Sequence, residues 1–308
     1  MKIGSLSSLT KHRSKATWVA LAFASIYIIW GSTYLAIRIA IETMPPFLMA
    51  GFRFVIAGAL LYVWAMARGE PRPSRIHLRP IIIIGGLLLL GGNGGVTWAE
   101  QTIPSGTAAL LVATVPLWMV LLDWLRPGGS RPANRVFLGL GLGLIGVVLL
   151  IGPQEIAGGD RSTLVGSVVV ILAALSWATG SIYSRSVQLP ESPLVSTALE
   201  MLAGGALLFL AGTLAGEWGE LDPSQISTRS LLSLAYLIFF GAIIAFTAYI
   251  WLLKVSTPAR VSTYAYVNPV VAVFLGWAIL DEALTSQTLI AAAVIVSAVV
   301  MITVYRSD

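Results

Sequence analysis

The chain has no cysteine and only two histidines, His12 and His77. It can therefore build neither a disulfide framework nor a thiolate or histidine metal centre. It is also poor in charge: Asp, Glu, Lys and Arg make up 11% of its 308 residues, against roughly 25% in soluble domains. Acyl or phosphoryl chemistry would call for clustered His, Asp or Lys, and no such cluster occurs, which argues against an enzyme. No ATP-binding motif is present, so the chain is no primary pump unless a partner supplies the ATPase. Gly91-Gly92-Asn93-Gly94-Gly95 is no nucleotide loop, because no strand precedes it and no fingerprint spacing fits. No cofactor is implied.

What is abundant is apolar: 57% of residues are hydrophobic and the mean hydropathy is +0.87. These values predict an all-α polytopic membrane protein in a lipid bilayer. The net charge of +5 does not indicate a nucleic-acid partner, because the bases sit in short loops between apolar runs. A span needs about 20 apolar residues. Ten stretches qualify: 17–38, 47–67, 77–98, 105–125, 134–152, 164–187, 193–214, 230–253, 258–280 and 287–304. The first follows Lys2, Lys11, Arg13 and Lys15 and resembles the opening of a signal peptide. Its apolar run is too long for a 7–15-residue signal core.

Much of the chain is written twice. A shift of 147 positions puts Trp30 on Trp177, Arg38 on Arg185, Pro46 on Pro193, Arg53 on Glu200 and Gly58 on Gly205. Further on the shift becomes 153, and Trp98 falls on Trp251, Pro116 on Pro269 and Trp124 on Trp277. The six extra residues are placed in the acidic loop around 217–228. The expected organisation is a basic tail over 1–16, a first repeat over 17–152 and a second over 164–304. With five spans each, the repeats enter the membrane from opposite sides. Such inverted repeats are a common transporter architecture, with the substrate site near mid-bilayer between the halves.

Lys and Arg gather in the tail and in the loops after spans 2, 4 and 8. The opposite face carries Glu42, Glu100, Glu155, Asp160, Glu217, Glu220, Asp222, Asp281 and Glu282. The positive-inside rule then places both termini in the cytoplasm.

Several ordered features carry a family resemblance: Trp30-Gly31-Ser32; Pro46; Arg53-Phe54; Gly58; the run Ile103-Pro104-Ser105-Gly106-Thr107-Ala108-Ala109; Pro116; Ser256-Thr257-Pro258-Ala259; Tyr264 to Pro269; and Asp281-Glu282. They resemble the EamA family of the drug/metabolite transporter superfamily, and look most like its bacterial inner-membrane exporters. The resemblance implies a monomeric ten-helix basket with a central cavity that exports amino acids or related metabolites. The glycine face Gly139, Gly143 and Gly146 packs helices closely, within the chain or at a dimer contact.

Candidate site residues are those costly to place in hydrocarbon. Arg53 and Glu200 hold equivalent repeat positions with opposite charge, each seven residues after a proline. Arg53 either holds a substrate carboxylate or bonds neighbouring backbone. Glu200 either attracts an ammonium group, carries a proton or snorkels. Helical spacing adds polar and aromatic positions that could line a cavity: Trp30 and Tyr34; Asn93 with Thr97 and Trp98; Trp118; Trp177 and Ser181; Thr247; Tyr264 and Asn268. For each aromatic, helix packing or the interfacial belt is the alternative. The glycines around Asn93 weaken that helix. Pro116 and Pro269 are paired interruptions, either hinges or static kinks. The expected function is secondary export of amino acids or similar zwitterions from cytoplasm to periplasm across the bacterial inner membrane. Proton-coupled export of lipophilic cations is the alternative. The orientation predicts that a periplasm-active reporter fused after Asp308 is silent, and activity there would reverse it.

Overall fold

The computed structural model describes residues 4–126, 131, 133–152, 160–256 and 264–305, and every regular element among them is helical. In hydrocarbon each backbone N–H and C=O must be satisfied within its own segment, which leaves the helix as the form available to these apolar runs. The helices are α1 (Gly4–Ala40), α2 (Pro46–Ala67), α3 (Arg75–Ala99), α4 (Ser105–Leu125), α5 (Asn134–Ile151), α6 (Arg161–Ser184), α7 (Pro193–Leu214), α8 (228–255), α9 (Tyr264–Leu280) and α10 (Ser286–Tyr305).

Eight of these, α1 to α8, are long and apolar enough to cross a membrane. The last two contain shorter apolar stretches, Val267–Leu280 and Ser286–Met301. The expected start of the ninth span, 258–263, lies outside the described residues, as do Thr257 to Ala259 of the Ser256 motif, Arg260 and Glu155. Helix α1 begins at Gly4, so the stretch expected as a basic tail is helical from there on. No proline or glycine interrupts 5–16, so a helix nucleated by the span can propagate outward.

Prolines set several helix starts: Pro46 and Pro193 sit in the first turns of α2 and α7, where the missing N–H is no loss. Gly216 turns the chain at the end of α7 with φ +80°, a left-handed conformation that favours glycine. That turn delivers Glu217 to the start of α2. Its carboxylate accepts from the Leu48 and Phe47 N–H groups at 2.9 and 3.2 Å. Burial pushes the Glu217 carboxyl above its ordinary range, against the pull of those two N–H groups. Glu282, after α9, does the same for α4: it accepts from Ser105 N–H at 2.8 Å and Gly106 N–H at 3.1 Å. Asp160 caps its own helix α6, and bonds from the Ser162 and Thr163 side chains pull its carboxyl down to about 2. Acids thus sit at helix N-termini, where the macrodipole and unpaired N–H groups favour them.

The halves do not pack separately. One core joins α3, α4 and α5 to α6 and α10 through Leu110, Leu111, Val170 and Ile295. Another joins α1 and α2 to α7 and α8 through Met49, Leu61, Met201 and Leu237. The most extensive helix pairs are α2 with α7 and α5 with α10. The first pair approaches at the repeated Gly-Ala-Leu-Leu sequences. A side-chain carbon on Gly58 would lie 2.8 Å from the Ala198 carbonyl, and one on Gly205 would lie 2.9 Å from the Val55 nitrogen. Gly146 of α5 faces Ile295 of α10, so that close packing is within the chain.

Helices α3 and α8 each carry a π-helical stretch, Gly86–Gly94 and Leu237–Ile244. The first contains most of the glycine-rich run expected to weaken its helix. Such widened turns concentrate at functional sites.

The crossed caps predict that Glu217→Ala and Glu282→Ala each lose on the order of 1–2 kcal/mol. Apparent unfolding temperatures in detergent should fall for both, and less for Glu217→Gln, whose amide still accepts one bond. Unchanged temperatures for both alanine variants would contradict the capping account.

Candidate functional site

The two π-helical stretches face the centre of the bundle, and each is stitched to a helix of the other half. Each stretch offers a carbonyl to a side chain of that helix. Trp30 of α1 donates its ring N–H to the Gly241 carbonyl of α8 at 3.1 Å. Ser176 of α6 donates its hydroxyl to the Leu87 carbonyl of α3 at 2.7 Å. The two donors lie at neighbouring repeat positions, since Trp30 corresponds to Trp177. Trp177 itself packs so closely on Gly92 that a side-chain carbon there would fall 2.9 Å from its ring.

Between these stitches lies a cavity of about 230 Å³. Its walls come from α1 (Trp30, Thr33, Tyr34), α2 (Arg53, Phe54), α3 (Asn93), α4 (Pro116, Met119), α6 (Trp177), α7 (Met201), α8 (Gly241, Phe246) and α9 (Tyr264, Asn268, Pro269). Trp30 is ringed by Phe246, Tyr249 and Tyr264, with centroids 5.9, 5.2 and 5.1 Å away. These orientations are tilted or edge-on, as ring quadrupoles prefer. The Asn268 amide, turned so that its nitrogen faces two carbonyls, donates to Tyr264 at 3.1 Å and Tyr27 at 3.2 Å. Helix α4 breaks at Ala113 and Thr114 just before Pro116, whereas Pro269 lies inside α9.

Arg53 is the charged group of this wall. It is 5% exposed, and its guanidinium carbon stands 4.7 Å over the Phe54 ring. Its Nε is buried with no hydrogen-bond partner among the described residues.

The structure brings together Trp30, Tyr34, Arg53, Asn93, Pro116, Trp177, Tyr264, Asn268 and Pro269 at one cavity. It does not bring in the other expected residues. The Glu200 carboxylate accepts from the Ser196 hydroxyl at 2.9 Å, while its backbone lies against Gly85 of α3. The next residue, Met201, is the one that faces the cavity. Thr97 is enclosed and bonds the Asn93 carbonyl at 2.8 Å, and Trp98 packs on the core shared by α3 and α4. Ser181 bonds the Trp177 carbonyl at 2.8 Å. Thr247 bonds the Ile243 carbonyl at 2.7 Å. Trp118 lines a separate apolar cavity of about 370 Å³ between α4, α5 and α6.

Thr247 lies three residues past the π-helical stretch, and its hydroxyl turns back to its own helix. Phe246 faces the cavity instead and Tyr249 joins the aromatic ring, both overlooked by regular spacing. Glu200 was selected by repeat equivalence, which fixes position along the helix and says nothing of which helix covers it.

Val96 of α3 also lines the cavity, and Glu100 lies one helical turn beyond it, its N–H bonded to the Val96 carbonyl at 3.0 Å. Arg38 donates to the Glu100 carbonyl. The Glu100 carboxylate is fully buried, and neither oxygen has a hydrogen-bond partner among the described residues. Among those residues, no group of three or more His, Asp or Glu converges to hold a metal ion.

The sequence model of the EamA-like transporter family matches residues 16–152 and 164–304. The chain is 42% identical over 286 residues to the uncharacterized inner membrane transporter YedA of Escherichia coli K12, covering 92% of this chain and 89% of that one. It is 27% identical to the uncharacterized transporter YoaV of Bacillus subtilis, covering 92% and 96%. It is 24% identical to a probable amino-acid metabolite efflux pump of Escherichia coli K12, covering 88% and 90%. A protein solved by crystallography superimposes with a TM-score of 0.64 at 25% identity, covering 94% of this chain and 99% of that one.

Proposed function

The chain belongs to the EamA-like transporter family, and on that premise we propose that it exports small zwitterionic metabolites, amino acids foremost, by alternating access. The observation that carries this reading is the buried Arg53 guanidinium, the charged group on the wall of a small cavity lined mostly by apolar and aromatic side chains with Thr33, Asn93 and Asn268. Charge inside hydrocarbon is expensive and marks a function by default. A guanidinium suits a carboxylate in planar, bidentate fashion. The ring of Trp30, Phe246, Tyr249 and Tyr264 suits an ammonium group through cation–π attraction. At about 230 Å³, the cavity is below the 300–1,000 Å³ usual for drug-sized ligands. That size favours a metabolite over a lipophilic drug, as does a described wall with Arg53 and no carboxylate.

The architecture we propose is ten transmembrane helices in two inverted repeats, 17–152 and 164–304. The helix pairing supports it. Exchange each helix of the first half with its counterpart in the second, and the α2–α7 and α5–α10 pairs map onto themselves. The α1–α9 contact maps onto α6–α4, α1–α8 onto α6–α3, and α2–α8 onto α7–α3, all of which occur. The π-helical stretches of α3 and α8 are likewise counterparts. Both termini are assigned to the cytoplasm from the loop charges, with transport directed to the periplasm. We take the working unit to be the monomer.

Counterflow in proteoliposomes tests the function. Neutral amino acids should exchange saturably, and a lipophilic cation should not. Arg53→Gln should weaken amino-acid affinity on the order of 10- to 100-fold, the loss of charge-assisted bonds, with Arg53→Lys intermediate. Exchange of the cation alone, rising with a pH gradient, would replace this reading with proton-coupled drug efflux.

A further inference from the structure

Glu100 follows the last turn of α3, and the reading above gives it no task. Burying an ionised carboxylate without hydrogen bonds costs several kcal/mol, so such a group either takes a proton or holds a counter-charge. The groups that act on it can be named. From α1 come Tyr34 and Arg38, from α2 Arg53, and from the loop after α9 the like charge of Glu282. Helix α6 brings uncharged Gly166 against this turn, near the Ala99 carbonyl.

Two of these groups are already engaged. Arg38, the stronger of the two arginine counter-charges on Glu100, is held in place by donating to that residue's backbone carbonyl. Glu282 spends both oxygens on the start of α4. Arg53 differs: it attracts Glu100, forms no ion pair with it within 4.0 Å, faces the cavity and retains an unpartnered Nε. Arg53 and Val96 line the same cavity, and Glu100 lies one helical turn beyond Val96, so the guanidinium serves the cavity from within electrostatic reach of the buried carboxylate.

We propose that Glu100 is a proton-binding site linked to substrate binding through Arg53. Ionised Glu100 draws the guanidinium toward itself and competes with a substrate carboxylate for it. A proton on Glu100 ends that competition, and Arg53 is free to serve the cavity. Proton and substrate carboxylate then bind with positive cooperativity, and linkage makes the effect reciprocal: substrate binding draws a proton from solution. This sign differs from proton-driven antiport, in which the two exclude each other. The inference rests on the cavity being the binding site for a zwitterion.

The test is calorimetric titration of the full-length chain in detergent with L-threonine and L-phenylalanine between roughly pH 5 and 9, the range in which buried carboxylates titrate. Each titration is repeated in buffers of different ionisation enthalpy. The dissociation constant should rise with pH by up to about tenfold per unit, with up to one proton taken up per ligand bound. Glu100→Gln should bind at the tight, acidic value throughout, with no proton uptake. Unchanged pH dependence in Glu100→Gln, or binding by the native chain without proton uptake, overturns the linkage and leaves the export reading standing. The native-chain measurement decides the point even where the variant does not fold. Absence of binding and counterflow for every amino acid at every pH overturns the export reading and the linkage with it.

Discussion

Backbone groups freed inside a bilayer need partners, and in this chain the partners come from the other half. The widened turn of α8 gives its Gly241 carbonyl to Trp30, and that of α3 gives its Leu87 carbonyl to Ser176. The N-termini of α2 and α4 are closed by Glu217 and Glu282, each from a loop of the second half. An unsatisfied backbone group in hydrocarbon costs several kcal/mol, so these four stitches hold the halves in register around the cavity. They also give the acidic face a second physical role. Three of the carboxylates assigned to it, Glu217, Glu282 and Asp160, close helix ends. At helix α7 a serine side chain accepts instead, Ser192 from the Val195 N–H at 3.5 Å.

The same constraint explains why the cavity lies where it does. A π-helical stretch admits a close neighbour and exposes carbonyls at once. Gly91, Gly92 and Gly94 let α6 and α7 approach α3, while Asn93 keeps its side chain at the cavity. The aromatic wall lies beside the other stretch, in which Gly241 receives the Trp30 bond and Phe246 follows within a turn. Arg53 sits between these surfaces, close enough to Gly241 that a side-chain carbon there would lie 3.4 Å from the guanidinium.

The spans were legible because hydrophobic length is a local property. Proline and glycine boundaries put α2, α4 and α7 within a residue of where the sequence placed them. Trp30, Arg53, Asn93 and Tyr264 were legible as polar or aromatic groups in otherwise apolar helices. Thr247 and Glu200 show what sequence spacing misses. The face α8 turns to the cavity depends on α1 and α2, which meet it from the other half of the chain. The face taken by α7 depends on α2 and α3, which meet it from elsewhere in the chain. The crossed caps of Glu217 and Glu282 were hidden for the same reason, because donor and acceptor lie about 170 residues apart or more. A buried acid directly after a span, such as Glu100, reads in sequence as a solvated loop residue.

The central claim is that the cavity is the substrate's passage, open in turn to each side of the membrane. The natural absence of cysteine permits a direct test. In Ala113→Cys a single thiol is introduced at the cavity wall, and its reaction with a membrane-impermeant maleimide is timed in right-side-out and inside-out vesicles. The account predicts labelling from both faces, slowed on both by an amino acid that supports counterflow. A thiol sealed from both faces, or labelled at a rate no such substrate alters, would contradict it.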